Sequence, residues 1–231
     1  MRKAKPQAKL VRTHALEVGY NLAVCPPVTL SVGPGEVVAV VGANGTGKST
    51  LLRTVVGQLE PVAGKLEVLG GKVDERAARF RADVAVDLGE EAFFPALTVE
   101  EHLLLTCYGH GVPAPQEVTG QLIDEFGLGE RVNALPSALS SGQRRRLLLA
   151  AVFSRPRSLL VLDEPEQRLD TAMRAHLTAR LARERAGGGA VLLATHDPEV
   201  VAGAATKVVV ITESGVRTVD PAAGAAAVAH L

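Results

Sequence analysis

The stretch GANGTGKS, Gly42 to Ser49, carries the pattern G-x-x-x-x-G-K-S. Glycines at this spacing let a backbone turn tightly and bring successive N–H groups onto phosphate oxygens, and a following helix adds its N-terminal dipole. Lys48 would place a positive charge on the β and γ phosphates, and the Ser49 hydroxyl suits Mg2+. Gly42, Ala43, Asn44, Gly45, Thr46, Gly47, Lys48, Ser49 and Thr50 are therefore candidates for a nucleoside-triphosphate site. No Asn-Lys-x-Asp motif for reading guanine occurs, so ATP is the expected nucleotide. Further along, Asp163 follows four apolar residues, where a carboxylate can hold Mg2+ through water beside Ser49. Its neighbour Glu164 is an acid placed to orient or deprotonate an attacking water. His196 follows another apolar run, AVLLAT, as a candidate γ-phosphate sensor. The stretch LSSGQRRRLLLA, Leu139 to Ala150, has no such immediate reading. Its three arginines suit nucleic acid, a solvated helix face, or something more specific.

These residues need elements to position them. EVVAVVG (Glu36 to Gly42), SLLVLDEP (Ser158 to Pro165), AVLLATHD (Ala190 to Asp197) and KVVVIT (Lys207 to Thr212) read as strands. Their Val, Ile and Leu are continuous rather than alternating, as in a parallel sheet covered on both faces. Alternation of such strands with helical segments predicts an α/β domain. The chemistry-bearing residues fall just after the carboxyl ends of the strands, where open α/β sheets bind ligands. Between Glu91 and Ser154 the texture changes to several helices. One begins at Thr98, with Glu101 three residues on as a capping box, and another begins near Ser141. That predicts a helical subdomain inserted into the α/β core. The C-terminal AAGAAAVAHL reads as poorly ordered small-residue material.

Composition narrows the function. The 231 residues suit one large domain, with 47% apolar residues to build its core. Lys plus Arg equals Asp plus Glu at 25 each, which argues against a nucleic-acid partner. Only the N-terminal arm is lopsided, with Arg2, Lys3, Lys5, Lys9 and Arg12, and it reads as a solvated tail. Cys25 and Cys107 lack metal spacing and read as small buried or semi-buried residues in a reducing compartment. No apolar run approaches the roughly 18 residues of a spanning helix, and no signal-peptide core is present. A soluble, cytoplasmic chain is expected, with any membrane part supplied by another chain.

Taken in order, these motifs resemble the ATP-binding subunit of an ABC transporter from about Leu10 to Val219. Gly42–Thr50 resembles the Walker A motif, Leu139–Gln143 the signature motif, and Leu159–Glu164 the Walker B motif. Leu169 and Asp170 resemble the end of the D-loop, and His196 the switch histidine. Tyr20 matches the aromatic residue that stacks on adenine. The resemblance implies a P-loop NTPase (RecA-like) core with a mostly parallel sheet, an N-terminal antiparallel β subdomain and the inserted helical subdomain. As a single ABC ATP-binding domain over 1–231, its α/β core would span about 10–88 and 156–220 and its helical subdomain about 89–155. It implies an ATPase using ATP and Mg2+, with Ser49 and Asp163 on the metal and Glu164 and His196 catalytic. Two such subunits, identical or not, would pack head to tail, with Ser140, Ser141, Gly142 and Gln143 closing over the partner subunit's ATP. A polytopic membrane permease would dock near Phe93 to Glu101, holding the chain on the inner face of the cell membrane. The alternative is a soluble, non-transporting ATPase of the same type that acts on a cytosolic assembly.

On this resemblance Arg144, Arg145 and Arg146 are mainly a solvated helix face with some positive potential, since consecutive helical residues diverge by about 100°. Three departures stand out. Ser141 replaces a usual glycine, and Glu166, Gln167 and Arg168 replace small residues before the D-loop. The glutamine expected ahead of FFPALTVEEHL is missing, leaving Glu90 or Glu91 to take its place.

Overall fold

Uninterrupted Val, Ile and Leu build the centre of the protein, because each strand there is buried on both faces. The computed structural model describes residues 9–89 and 91–230. Glu90 and the arm residues Arg2, Lys3 and Lys5 lie outside them. Strands β1 (Val11–Glu17), β2 (Ser31–Val32) and β4 (Ala63–Val68) form an antiparallel sheet in the order β2-β1-β4. The larger sheet joins β3 (Val37–Val41), β5 (Val84–Asp87), β6 (Leu159–Asp163), β7 (Ala190–Ala194), β8 (Lys207–Thr212) and β9 (Gly215–Val219). Its order is β5-β6-β7-β3-β8-β9, parallel except for β9. The expected α/β class with its antiparallel companion sheet is present.

Alternate residues of the central strands face two separate cores. Val37, Ala39 and Val41 join one cluster with Leu160, Leu162, Leu193 and the helices α5 (Ser141–Ser154) and α6 (Thr171–Ala186). Val38 and Val40 join the other, with Leu51, Leu52 and Val55 of α1 (Lys48–Val55) and the small sheet. Between β5 and β6 the described residues contain α3 (Val99–Gly109), α4 (Pro115–Glu125) and α5, and no strand. Thr98 caps α3, and the Glu101 carboxylate accepts from the Thr98 N–H at 2.8 Å. The remaining helices are α2 (Ala78–Asp83), α7 (Pro198–Ala204) and α8 (Pro221–Ala229). Among the described residues, no helix is long and apolar enough to cross a membrane.

Two expectations are corrected. The C-terminal small-residue segment forms α8, capped by Asp220 and packed on β8. Gly224 sits so close that a Cβ there would lie 2.5 Å from Val208, so the small residues serve close packing rather than disorder. In the basic arm, Lys9 is not a free solvated charge, because its Nζ donates to Glu36 Oε1 at 2.7 Å.

Candidate nucleotide site

The phosphate loop runs from the buried end of β3 into α1. At Gly42 a Cβ would meet the Ile211 carbonyl oxygen at 2.4 Å, so the β3–β8 pairing itself demands glycine. Gly47 has φ 88°, a left-handed conformation that suits glycine, and forms the N-cap of α1. No side chain caps that helix, so its first N–H groups remain available to an anion. Lys48, the first helical residue, is 5% exposed. Its Nζ donates to the Gly42 and Ala43 carbonyls at 2.8 and 3.0 Å. Burial lowers the Lys48 pKa, and the charges of Glu164 and Asp163 oppose that shift.

A cleft of about 820 Å3 opens beside the loop, lined by Val24, Cys25, Asn44, Gly45, Thr46 and the turn from Ile211 to Ser214. Tyr20 is 69% exposed on the loop before β2 and is not among the lining residues; Val24 and Cys25 of that loop are. A second cleft, about 800 Å3, shares Asn44 with the first and is lined by Glu164, Glu166, Arg174 and His196 among others.

Strands β6 and β7 deliver the acids and the histidine. Asp163, hydrogen-bonded to Ser49, has its pKa raised first by burial and also by the Glu164 charge. Its buried Oδ1 lacks a partner, the donor chemistry of a hard cation site beside the Ser49 hydroxyl. No group of three or more His, Cys, Asp or Glu among the described residues could hold a metal unaided. Glu164 sits at φ 44°, held by its N–H donating to the Ala194 carbonyl at 2.9 Å. His196 Nε2 stands 3.2 Å from Glu164 Oε1, too poorly aligned for a hydrogen bond. The Gln167 amide donates to the other Glu164 oxygen.

The turn from Ser140 to Gln143 has a local explanation as well. Ser140 caps α5 by accepting from the Gln143 N–H at 3.2 Å, and Gln143 Oε1 accepts from the Ser140 N–H at 2.9 Å. Ser141 lies inside α5 and is absent from the residues with positive φ, so serine in place of glycine carries no strain there. Gly142 needs its small size, since a Cβ would come within 2.9 Å of the Arg168 carbonyl oxygen. None of these four residues lines either cleft. Asp170 caps α6 through the Met173 N–H at 2.8 Å and accepts from Arg146. Those contacts, the Met173 bond first, lower its pKa.

The reading of the arginines as a solvated face is overturned, because the three point to three different protein neighbours. Arg144 bonds the Leu139 carbonyl at 2.8 Å, and Arg146 reaches Asp170. Arg145 is 5% exposed, with its guanidinium 2.8 Å from Asp87 Oδ2 and close to backbone carbonyls of the Walker B loop. Glu91 is taken by Arg144, 3.3 Å away, and by Arg168. The alternative candidate, Glu90, lies outside the described residues. Glu166 is also buried, accepting from the Thr195 hydroxyl at 2.5 Å and the His196 N–H at 3.0 Å, with its pKa raised by burial. Sequence reasoning missed the parts played by Arg145 and Glu166. The one signal available was that charges replace small residues or follow one another without a break.

A family model described as ABC transporter matches residues 25–167. The chain belongs to that family. It is similar to the thiamine import ATP-binding protein ThiQ of Haemophilus influenzae, with 34% identity covering 79% of this chain and 86% of the relative. It is likewise similar to the cytochrome c biogenesis ATP-binding export protein CcmA of Bordetella bronchiseptica, with 35% identity over 74% and 76% of the two chains. Among solved structures, an ATP-binding subunit of an ABC transporter superposes with TM-score 0.82 and 27% identity, covering 91% of this chain and 90% of that one. The fold also matches a dimeric ATP-binding cassette bound to ADP and Pi, with TM-score 0.79 and 20% identity over 91% and 98% of the chains. The chain is thus an ABC-type ATP-binding subunit and an ATPase.

Proposed function

We propose that this subunit holds MgATP in the cleft beside Gly42–Thr50, hydrolyses it as one of a head-to-tail pair, and drives a separate polytopic permease from the inner face of the membrane. The observation that carries the reading is the convergence at the strand ends. Asp163 meets Ser49, and Glu164 lies beside His196, all next to an uncapped helix N-terminus.

In this reading the loop N–H groups and Lys48 bind the phosphates, and Ser49 and Asp163 hold Mg2+, which when bound neutralises charge on the phosphate oxygens. Glu164 orients the attacking water and accepts its proton, His196 faces the γ-phosphate, and Tyr20 offers its exposed ring to adenine. Water's oxygen bonds to phosphorus as the bond to the ADP oxygen breaks, so the protein's part is positioning and electrostatics. The signature turn lines neither cleft of its own chain, which supports its use on the ATP of a second subunit. A groove of about 490 Å3, lined by Val86, Leu88, Phe94, His102 and Leu148, flanks the helical subdomain of about 89–155. It supports docking of the permease near Phe93 to Glu101.

Affinity capture of the tagged chain from detergent-solubilised native membranes tests this. A stoichiometric polytopic protein is expected to co-elute. Recovery of only cytosolic partners by a chain that still hydrolyses ATP would refute the permease assignment.

A further inference from the structure

Arg145 is built into the hydrolytic site from behind. It projects from the first turns of α5 into the loop that carries Glu164. Its NH1 donates to Asp87 Oδ2 at 2.8 Å, its Nε to the Pro165 carbonyl at 3.2 Å, and its NH2 to the carbonyls of Glu164 at 3.2 Å and Asp163 at 3.4 Å. One planar guanidinium therefore grips three consecutive peptide groups. Asp87 ends β5 and is paired in register with Leu162 of β6, which anchors the grip to the sheet. The side chains of this ion pair are only 6% and 7% exposed.

Such a pair is weak evidence for stability, since desolvating two charges costs several kcal/mol and an apolar pair commonly does as well. Its geometry has another consequence. Glu164 is a non-glycine residue at φ 44°, a conformation that persists only when its surroundings hold it. The Ala194 carbonyl takes the Glu164 N–H, and Arg145 takes the Glu164 carbonyl. Both peptide groups flanking the carboxylate are thereby fixed, which sets where the side chain leaves the backbone. One turn earlier in α5, Gly142 lies against the Arg168 carbonyl. A shift of the signature turn along the helix axis would therefore pull on the Arg145 contacts to residues 163–165.

We propose that Arg145 is a positioning residue for Glu164, linking the signature turn's engagement with one nucleotide to the hydrolytic geometry at the chain's own. This rests on the roles given above to Glu164 and the signature turn.

The test uses Arg145→Lys in the full chain, which keeps a cation beside Asp87 but replaces the planar fork with a point charge. Expected is a fall in kcat of about 10²-fold, the order that a misplacement of about 1 Å costs, with KM for MgATP unchanged and a fall in thermal midpoint too small to account for the lost turnover. In a Glu164→Gln background the same substitution should cause no further loss. Wild-type kcat, a loss matched by the fall in thermal midpoint, or an equal further loss in the Glu164→Gln background would each overturn the proposal. Should Glu164→Gln alone turn over like the wild type, the fault lies with the Glu164 assignment instead. If Arg145→Lys fails to fold, the double variant Asp87→Asn/Arg145→Gln, a neutral hydrogen-bonding pair, is measured in the same way. Loss of kcat with intact KM supports the proposal and wild-type turnover overturns it.

Discussion

Replacing Lys48 with methionine separates binding from stability, because the lysine is buried before any phosphate arrives. In the free subunit Lys48 is 5% exposed, and its ammonium donates to the Gly42 and Ala43 carbonyls. Losing two charge-assisted hydrogen bonds at about 1.5–3 kcal/mol each is set against relief of a desolvation penalty of several kcal/mol. The Ala43 carbonyl keeps the Thr46 hydroxyl at 2.8 Å. Methionine also fills a similar unbranched space. The two effects are of the same order, so the unfolding free energy of the free variant should stay within about 1 kcal/mol of wild type. The nucleotide response should not. At a concentration 100 times Kd, a ligand stabilises the wild type by about 2.7 kcal/mol. For a chain of this size that is about 5–11 °C in thermal midpoint. Removing one partner of a desolvated charge pair costs about 2–5 kcal/mol, so the variant at the same concentration should shift by less than about 4 °C. The assay is thermal unfolding with and without Mg2+ and a non-hydrolysable ATP analogue. Equal shifts in the two proteins would refute the phosphate role of Lys48. A collapse of the free variant by several kcal/mol would show that the lysine is chiefly structural.

Glu164→Gln should lower phosphate release by about 10²–10⁴-fold while MgATP still binds; undiminished turnover would remove the water-activating role. Phe126, fully buried and stacked on Phe153, should cost about 3–5 kcal/mol when cut to alanine, read by urea denaturation, with the nucleotide Kd unaltered. For Glu166, burial raises the folded pKa, so its contribution to stability is complete below the unfolded value of about 4.3 and is lost as pH rises through the folded one. Glu166→Gln should therefore gain on the wild type in urea midpoint between pH 4.5 and pH 8, and a difference independent of pH would refute the buried-acid account.

The central strands were legible because burial on both faces leaves an unmistakable composition: β3 is five apolar residues, two of them facing one core and three the other. The cap of α3 was legible for a local reason, since a threonine followed three residues later by glutamate closes its own hydrogen bonds; the like pattern from Ser140 to Gln143, which caps α5, was passed over in favour of a role toward nucleotide. Helix α8 was not legible. Its alanines and glycine carry little hydrophobic signal, and what orders them is close approach to Val208, a partner more than ten residues away.

The same division runs through the site. Residues that act through backbone shape or through a strand end announce themselves, because spacing along the chain dictates their geometry. Arg145 and Glu166 act through tertiary neighbours, Asp87 and Thr195, that lie 58 and 29 positions away. A helix period of about 100° per residue shows that three successive arginines must diverge, and it is silent on which one turns inward. The choice falls on Arg145 because its direction meets Asp87 and the carbonyls of residues 163–165, whereas Arg146 meets the rim acid Asp170. Glu166 is tied down by the same logic from the other side, holding the His196 N–H. Two buried charged residues have thus joined the Walker B loop to α5 on one flank and to the histidine turn on the other. The loop between those two anchors contains Glu164, so a substitution at either anchor should appear first in kcat rather than in nucleotide affinity.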